Sequence, residues 1–281
     1  RLTRSYSLSD IPRADGRLAI TVRQEEGGKV STQLCQHTRP GDIVELGQAF
    51  GDMSLPDAPE GDFLLLAAGS GITPLISLTR ALLAGDAPVR VTLAYWAQTR
   101  AELCFLNELQ TLAANDRRFR LLTVLTREPV LLKDELSGRL SAEFLSAQLP
   151  DLATQQVMAC GPFGFADSAR QLLQDRVQGF TAEAFTLPQT PDADSNRAVT
   201  VTLTRSARTV TLSSAQTLLD GLEAQGIRPE SGCRMGICHT CSCKQQSGSS
   251  RNRLTGDVQD EAGSQVRLCV SRPQTDLVLD L

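Results

Sequence analysis

Residues Ser231–Cys241 read Ser-Gly-Cys-Arg-Met-Gly-Ile-Cys-His-Thr-Cys, and this loop decides the fold of the C-terminal third of the chain. The loop and the chain downstream of it supply four cysteines: Cys233, Cys238, Cys241 and Cys269. A Cys-x4-Cys-x2-Cys spacing with a distant fourth cysteine is the plant-type pattern for a [2Fe–2S] cluster. Structural zinc is the alternative, but zinc modules usually combine two Cys-x2-Cys pairs, or one pair with two histidines. The single pair here, with His239 inside it, favours the iron–sulfur cluster.

The composition limits the classes of function. The chain has 281 residues, enough for two or three domains, and a net charge of −4 without a long basic run, so we expect no nucleic-acid partner. The longest uncharged stretch, Phe63–Thr79, is interrupted by two glycines and a proline, so a strand, a turn and a helix are expected there and no membrane span. A reduced, cytoplasmic protein is favoured because the remaining cysteines are scattered; they are Cys35, Cys104, Cys160 and Cys243.

Three regions of different pattern predict a multi-domain α+β protein. Residues 1–59 contain short alternating runs that predict antiparallel strands at Ser5–Ser9, Leu18–Gln24 and Asp42–Gly47. In residues 60–186, apolar runs alternate with helical patterns, which predicts a doubly wound parallel α/β domain. The predicted strands of this domain are Phe63–Ala68, Val89–Trp96, Phe119–Thr126, Gln156–Cys160 and Phe180–Phe185, and its predicted helices are Leu75–Ala84, Ala101–Asn115, Ala142–Leu149 and Phe165–Val177.

The C-terminal region is separated from the rest by a predicted linker at residues 187–197, which has two prolines and no periodicity. Residues 198–281 begin with the alternating pattern of a β-hairpin. A short helix is predicted at Leu218–Gln225, followed by the cysteine loop and a closing strand at Leu277–Leu281. This order of elements is typical of the β-grasp fold of plant-type ferredoxins.

A nucleotide site is predicted at the carboxyl ends of the parallel strands, where ligands of such sheets bind. The first strand is followed by Gly69-Ser70-Gly71-Ile72-Thr73-Pro74. The two glycines permit a tight turn, and Pro74 suits the first turn of a helix whose N-terminus can hold a pyrophosphate. An ordinary strand–helix turn is the alternative. The fourth strand runs into Cys160-Gly161-Pro162. We expect Cys160 to pack near a bound nicotinamide without covalent chemistry, because no histidine is placed to act as its base.

Arginines near the strand ends bear on the choice of nucleotide. Arg100 and Arg127 follow the second and third strands, and Arg139 comes shortly after. No carboxylate stands at the end of the second strand, where an NAD site often keeps one, and arginines suit the 2′-phosphate of NADP. The pattern therefore favours NADPH and leaves NADH open; the alternative is that these arginines are solvated surface charges.

A flavin is expected because NADPH gives up two electrons at once whereas the cluster takes one, and a flavin can handle both. Taken alone, the residues at positions 4–7 indicate little. Together with the other motifs, however, they make the whole chain resemble ferredoxin–NADP reductase-like flavoproteins that carry a C-terminal ferredoxin domain. The motifs that carry the resemblance are Arg-x-Tyr-Ser at Arg4, Tyr6 and Ser7, Gly-x-x-Ser at Gly28 and Ser31, Gly-x-Gly-Ile-x-Pro at Gly69–Pro74, Cys-Gly-Pro at Cys160–Pro162, and Glu-x-Phe at Glu183 and Phe185.

The resemblance implies roles for these residues. Tyr6 would stack on the isoalloxazine, with Ser7 near its N5 atom and Arg4 and Ser31 on the flavin phosphates. The Gly-Lys-Val-Ser form of the second motif, which includes Val30, resembles the FAD-binding branch, so FAD is expected rather than FMN. Arg127 and Arg139 match positions that hold the 2′-phosphate. The full set expected at the hydride-transfer site is Tyr6, Ser7, Cys160 and Glu183, and further cofactor contacts are expected from Gly28, Gly69, Gly71, Thr73, Pro74, Arg100, Gly161, Pro162 and Phe185.

The family's flavin domain is a six-stranded barrel whose first strands precede the Arg-x-Tyr-Ser strand. Only three residues precede Arg4 here. A partial antiparallel β-barrel is therefore expected in residues 1–59.

The predicted function is electron transfer from NADPH through FAD to the [2Fe–2S] cluster and on to a partner oxygenase. His239 and the segment Leu254–Val258 resemble reductases that serve bacterial membrane fatty-acid desaturases, which implies a di-iron partner met in transient contact at a membrane. The alternatives are a Rieske-type or di-iron hydroxylase as partner, or a non-catalytic iron–sulfur sensor.

Overall fold

A computed structural model describes residues 2–149, 151–188 and 197–281. The chain forms two compact units, one made mainly of residues 6–44 and 52–186 and the other built around residues 197–281. The predicted linker at 187–197 lies outside the described residues over 189–196. Residues 6–44 belong to the first unit, so the domain boundary predicted at residue 59 stays a prediction.

The first unit contains a six-stranded parallel sheet in the order β4-β3-β2-β1-β5-β6. Its strands are β1 (Gly61–Ala68), β2 (Val89–Ala97), β3 (Phe119–Leu125), β4 (Glu135–Ser137), β5 (Gln155–Gly161) and β6 (Gly179–Ala184). The order reverses between β1 and β5, so the carboxyl ends of these two strands flank the crevice where ligands of such folds bind.

The helices of this unit are α1 (Lys29–Thr32), α2 (Ile72–Leu83), α3 (Leu106–Asn115), α4 (Ala142–Gln148) and α5 (Phe163–Leu173). Alternate residues of β1 enter two different cores, because successive side chains of a strand point to opposite faces. Leu65 packs in a core with Leu75 of α2, whereas Leu66 packs in a second core with Leu145 of α4. Helices therefore cover both faces of the sheet, and the predicted doubly wound domain is confirmed.

Two details of this domain differ from the sequence prediction. The helix predicted from Ala101 begins only at Leu106, because Arg100–Glu102 forms a 3₁₀ turn and Phe105 has a left-handed backbone with φ 61°. A left-handed residue interrupts a right-handed helix. The short strand β4 was not predicted, since three residues carry too little alternation to be recognised.

The second unit has the predicted β-grasp order. Its elements are β7 (Ala198–Leu203), β8 (Arg208–Ser213), α6 (Leu218–Ala224), β9 (Ser242–Ser247), β10 (Ser250–Asn252), β11 (Val258–Gln259), β12 (Ser264–Arg267), β13 (Ser271–Pro273) and β14 (Leu277–Leu279). The main sheet has the order β12-β9-β14-β7-β8, with β14 parallel to β7, and a small sheet has the order β11-β10-β13. Leu218, Leu219 and Leu222 of α6 are buried in the core beside Val199 and Val201 of β7.

The three strands predicted at Ser5–Ser9, Leu18–Gln24 and Asp42–Gly47 are wrong as regular strands. Within residues 2–59 the structure describes one antiparallel bridge, Leu8 with Ile20, and no longer ladder. Paired strands need further neighbours or a covered apolar face to be stable in water. Here Ile43 is 97% exposed, so its segment has neither. The predicted partial barrel is therefore reduced to this single pairing in the described residues.

A helix and a π-helical turn, at Lys29–Thr32 and Gln33–His37, were also not predicted. Among the described residues, none of the helices combines the length and the apolar character that crossing a membrane requires.

Candidate functional site

The turn after β1 is built by two glycines with different duties. Gly69 has φ 54°, in the left-handed region that glycine adopts at no cost. A Cβ atom on Gly71 would lie 2.0 Å from the carbonyl oxygen of Cys160. Only glycine permits this approach, which brings the β1–α2 turn directly against the carboxyl end of β5. The turn and the Cys-Gly-Pro motif therefore form one continuous surface at the switch point of the sheet.

The other residues of this turn stabilise it. Thr73 is buried, and its hydroxyl donates to the carbonyl oxygen of Ser70 at 3.0 Å. Pro74 lies in the first turn of α2, as predicted, where a missing backbone N–H has no cost. The cofactor contacts expected of Thr73 and Pro74 stay predictions, since both side chains are buried in the turn.

A buried tyrosine, Tyr95 near the end of β2, also holds this turn. Its hydroxyl lies 3.3 Å from the carbonyl oxygen of Gly69, and it accepts from the backbone N–H of Cys104 at 3.2 Å. Tyr95 is 1% exposed, and burial raises the pKa of its hydroxyl. One hydroxyl thus joins the loops that follow β1 and β2. Sequence reasoning missed this residue, which looked like an ordinary core aromatic.

Cys160 and Glu183 lie side by side, because the parallel register pairs them at the ends of β5 and β6. Cys160 is fully buried, and burial, followed by the charge of Glu183, raises the pKa of its thiol well above the usual range. A thiol held protonated is not a nucleophile. Burial therefore agrees with a Cys160 that does no covalent chemistry, and its packing near a nicotinamide stays a prediction.

Glu183 is half-buried, and burial, followed by the charge of Asp52, raises the pKa of its carboxyl. Two residues further on, the backbone N–H of Phe185 donates to the carbonyl oxygen of Gly161 at 2.8 Å, and the phenyl ring packs against the core. Pro162 then leads into α5. Gly71, Cys160, Gly161, Glu183 and Phe185 are thus brought together at one edge of the sheet.

Of the three arginines proposed for the nucleotide, Arg100 is already engaged within the protein. Its Nε and Nη2 atoms donate to the two carboxylate oxygens of Glu135, each at 2.6 Å, and Glu128 lies at 3.4 Å from Nη1. The hydrogen bond from Arg100 lowers the pKa of Glu135. Its role in cofactor binding stays a prediction, and this bidentate pairing counts against it.

Arg127 and Arg139 occupy equivalent places on neighbouring strands. The register of β3 and β4 pairs Leu125 with Ser137, and each arginine follows its strand by two residues. Both are exposed, and neither side chain makes an ion pair in the part of the chain that the structure describes. Two exposed arginines therefore follow neighbouring strands at the carboxyl edge of the sheet.

The residues predicted to bind the flavin are Arg4, Tyr6, Ser7 and Ser31, and they differ in burial. Tyr6 and Ser7 are half-buried, and Arg4 is exposed, with its Nη1 atom donating to Thr3. Ser31 is buried; its hydroxyl accepts from the N–H of Glu25 at 3.1 Å and lies 3.4 Å from the carbonyl oxygen of Gly28.

The Gly-x-x-Ser motif forms a tight turn of its own. A Cβ atom on Gly28 would lie 2.5 Å from the Ser31 hydroxyl and 3.0 Å from the carbonyl oxygen of Glu25, so glycine lets this turn close tightly. Val30 is half-buried within this turn. The motif therefore shapes the start of α1, while direct contact of the Ser31 side chain with a flavin phosphate stays a prediction.

The cysteine loop folds around the sulfur of Cys233. Backbone N–H groups of Met235, Ile237 and Cys238 donate to this sulfur, each at 3.3 Å. The sulfur of Cys238 accepts from the N–H of Cys233 and from the hydroxyl of Thr240, both at 3.2 Å. Thr240 was not singled out from the sequence. Donors converging on thiolate sulfur stabilise negative charge, as a cluster loop must.

The curvature of this loop depends on left-handed residues. Arg234, Gly236 and His239 have φ values of 60°, 75° and 58°. A Cβ atom on Gly232 would lie 2.8 Å from the Cys238 sulfur, so the glycine leaves room for the ligand. His239 is exposed, which places it on the surface of the loop.

The four cysteine thiols form two pairs. Cys233 lies beside Cys238, and the buried Cys241 is hydrogen-bonded to Cys269, which lowers the pKa of the Cys241 thiol to about 6 and raises that of Cys269. A [2Fe–2S] cluster takes two ligands on each iron. The donor set therefore fits a binuclear cluster better than a single four-coordinate zinc ion.

Comparison with known families agrees with both sites. A family model for an oxidoreductase NAD-binding domain matches residues 65–171, and a model for a 2Fe-2S iron-sulfur cluster binding domain matches residues 201–274. The first match contains the glycine turn and Cys160, and the second contains all four cluster cysteines. Pyridine-nucleotide binding and a [2Fe–2S] site are therefore properties of this chain.

Three curated relatives align over nearly the whole chain. An "NADPH oxidoreductase" of Mycobacterium tuberculosis is 35% identical over 99% of this chain and 72% of its own length, and "NADH oxidoreductase HCR" of Escherichia coli is 32% identical over 98% and 83%. The ferredoxin reductase component of a 3-ketosteroid-9-alpha-monooxygenase of M. tuberculosis is 32% identical over 99% and 79%.

Among solved structures, phthalate dioxygenase reductase superposes with a TM-score of 0.64 and 26% identity, covering 99% of this chain and 83% of its own. The chain belongs to the family of ferredoxin–NADP reductase-like oxidoreductases with a C-terminal [2Fe–2S] ferredoxin domain. The family and the enzyme class expected from the sequence are thereby confirmed.

Proposed function

We propose that this chain oxidises NADPH and passes the electrons, through FAD and its own [2Fe–2S] cluster, to an oxygenase partner. The observation that carries the proposal is the pairing of the cluster thiols inside a loop of converging N–H donors, in the same chain as a nucleotide site. A cluster that receives electrons from a pyridine nucleotide has to deliver them elsewhere. The reductase relatives support delivery to a separate oxygenase.

FAD supplies the conversion of a hydride into single electrons when it is bound. The half-buried Tyr6 offers a ring for stacking, and Ser7 follows it in the chain. On the other side, Gly71 lets the β1–α2 turn lie directly against the backbone of Cys160 and Gly161, and this packed turn supports a nicotinamide site at the carboxyl edge of the sheet. Cys160 and Glu183 border that place. One structural neighbour, a ferredoxin NADP+ reductase with bound FAD, supports FAD as the intermediate carrier.

NADPH is proposed over NADH because of Arg127 and Arg139. Two exposed guanidinium groups that follow neighbouring strands, without carboxylate partners in the described residues, suit the doubly charged 2′-phosphate. The relatives include an NADPH oxidoreductase and an NADH oxidoreductase, so they do not decide between the two nucleotides. The proposal of NADPH therefore rests on the two arginines.

The nucleotide choice is tested with single alanine variants of these arginines. Arg127→Ala and Arg139→Ala should each raise the KM for NADPH about tenfold, the loss expected for a charge-assisted hydrogen bond, and should change the KM for NADH much less. Arg117→Ala is the matched control, because Arg117 is equally exposed but precedes β3 instead of following it. Equal effects on the two nucleotides would contradict the proposal.

For the partner, a membrane fatty-acid desaturase is proposed as the finer identity, resting on His239 and the segment Leu254–Val258. The exposed position of His239 on the cluster loop supports a role in docking. A Rieske-type or di-iron hydroxylase is the second candidate, supported by the phthalate dioxygenase reductase and ketosteroid monooxygenase relatives. No disulfide joins any of the eight cysteines in the described residues, which supports a cytoplasmic location.

The central experiment is an anaerobic titration of the purified full-length chain with NADPH, followed by visible and electron paramagnetic resonance spectroscopy. Flavin bands that bleach, together with a reduced-cluster signal, are expected, and iron and acid-labile sulfide should be present in equal amounts. A chain with iron but no flavin band and no NADPH-dependent ferricyanide reduction would instead be a sensor.

The partner is then identified by turnover. Product formed per NADPH is measured with a desaturase in lipid vesicles and with a Rieske oxygenase in solution. His239→Gly keeps the left-handed backbone, so it should lower turnover with the desaturase and leave ferricyanide reduction unchanged. Equal turnover of the variant with the desaturase would exclude His239 from docking.

A further inference from the structure

Arg80, in the last turn of α2, is contacted by two separate parts of the first unit, α3 with its N-cap residue and the segment that contains Ser9 and Asp10. Its Nε and Nη2 atoms donate to the two carboxylate oxygens of Glu108 on α3, each at 2.7 Å. Its Nη1 atom donates to the carbonyl oxygen of Ser9 and lies 3.2 Å from a carboxylate oxygen of Asp10. The guanidinium also lies 5.6 Å from the ring centre of Phe105.

These contacts hold the segment that follows Tyr6 and Ser7. Ser9 is buried, and its N–H donates to the carbonyl oxygen of Ala19 at 2.9 Å. The hydroxyl of Ser77, also on α2, donates to the carbonyl oxygen of Asp10 at 3.0 Å. Two successive residues of this segment are thus fastened to one helix by Ser77 and Arg80, and Arg80 is in turn held by Glu108.

The pairing of Arg80 with Glu108 fixes the position of the guanidinium group. A bidentate arginine–carboxylate pair sets both distance and orientation, and it is stronger when solvent is partly excluded. The side chain of Arg80 is 24% exposed and that of Asp10 is 17% exposed. Lysine could not reproduce the arrangement, because a single ammonium group lacks the planar fork that addresses Glu108 while reaching Ser9.

We propose that Arg80 is a positioning residue for hydride transfer. It ties the Tyr6–Ser7 segment to α2, whose N-cap residue, Gly71, belongs to the turn beside which the proposed function places the nicotinamide. The inference rests on the proposed function. In the reaction the C–H bond at nicotinamide C4 breaks, and its hydrogen passes with both electrons to flavin N5. The nicotinamide is thereby oxidised by two electrons and the flavin is reduced by two.

Such a transfer needs the two reacting atoms about 3–3.5 Å apart, and a displacement of about 1 Å costs about a hundredfold in rate. Arg80→Met removes the charge and the fork but keeps an apolar chain. We expect it to lower the hydride-transfer rate constant about a hundredfold at saturating NADPH, measured by stopped flow in flavin-loaded protein, with little change in the KM for NADPH. Arg80→Lys should recover part of the rate.

Two further variants complete the design. Glu108→Gln keeps the shape of its side chain and weakens only the support of Arg80, so a smaller fall in rate is expected even if Arg80→Met folds poorly. Arg90→Met is the control: Arg90 makes an equally short bidentate pair with Asp62, with both bonds at 2.7 Å, at the opposite ends of β1 and β2. It should leave the rate unchanged.

Amide hydrogen exchange of residues 6–10 gives a readout that does not depend on bound flavin. Arg80→Met should accelerate exchange in this segment, and Arg90→Met should not. Unchanged exchange in Arg80→Met would overturn the proposal, as would a fall in rate that merely follows loss of FAD. A wild-type chain that takes up no flavin would refute the proposed function instead, and the exchange experiment would still decide whether Arg80 anchors the segment.

Discussion

Gly71→Ala is the sharpest test of the nucleotide site, because the structure gives the size of the conflict. The added Cβ would lie 2.0 Å from the Cys160 carbonyl oxygen and 2.6 Å from the N–H nitrogen of Gly161, whereas ordinary contacts begin at 3.4 Å. The two backbones must therefore separate by about 1.4 Å, the difference between 3.4 and 2.0 Å. Neither atom belongs to a flexible side chain, so the strain cannot be relieved locally.

Two consequences are expected. Overpacking of this kind typically costs about 1–3 kcal/mol, so the thermal midpoint should fall by several degrees. A displacement of more than 1 Å at the nicotinamide surface should also lower kcat/KM for NADPH about a hundredfold or more. Both are measured on purified protein, by calorimetry and by NADPH-dependent ferricyanide reduction.

Gly85→Ala provides the matched control. Gly85 has no atoms within 4 Å of its added Cβ, and its backbone is not left-handed, so this variant should keep both the midpoint and kcat/KM. The reasoning is refuted if Gly71→Ala retains wild-type values in both assays. A fall in stability with unchanged kcat/KM would place the nicotinamide away from this turn.

Three further outcomes are expected. Thr240→Val removes the hydroxyl that donates to the Cys238 sulfur at 3.2 Å. The midpoint potential of the cluster should fall, because the reduced cluster is more negatively charged and loses a hydrogen-bond donor. A redox titration followed by electron paramagnetic resonance measures this potential. Burial and Asp52 raise the pKa of Glu183, so folding favours its protonated form, and the stability of the wild-type protein falls as the pH rises through that pKa. Glu183→Gln should therefore raise the thermal midpoint above that of the wild-type protein more at pH 7 than at pH 4. Tyr95→Phe deletes the hydroxyl that joins two loops, which should cost about 1–3 kcal/mol and raise the KM for NADPH with little change in kcat, as unfolding and steady-state assays can measure.

The parallel sheet could be predicted because its strands are buried on both faces. Runs such as Phe63–Ala68 are continuously apolar and lie between turn signals, so their length and position are written into local sequence. The cluster ligands could be predicted for a similar reason, since three of them share one loop and their spacing is set by the metal centre. Cys269 was assigned from the same pattern, and the structure places it beside Cys241.

The N-terminal strands could not be predicted reliably, because a strand exists only through its partners. Leu18–Gln24 alternates well, yet its pairing in the described residues is limited to the bridge at Ile20. Tyr95 and Arg80 were missed for a different reason. Their partners are distant in sequence, Gly69 for Tyr95 and Ser9 for Arg80, and no local pattern marks a hydroxyl or guanidinium that will meet a backbone carbonyl far away in the chain.

The pairing of Cys241 with Cys269 has a consequence for the protein when it lacks its cluster. Cys241 directly precedes β9, and Cys269 follows β12, one of the two edge strands of the main sheet of its unit. A cluster iron held by both thiolates would join β12 to β9, the strand with which it pairs. Without the cluster, β12 is held to β9 by backbone hydrogen bonds and packing alone. A loosened edge strand can pair with a strand of another molecule. The protein without its cluster should therefore aggregate more readily than the protein with its cluster, through the edge of β12.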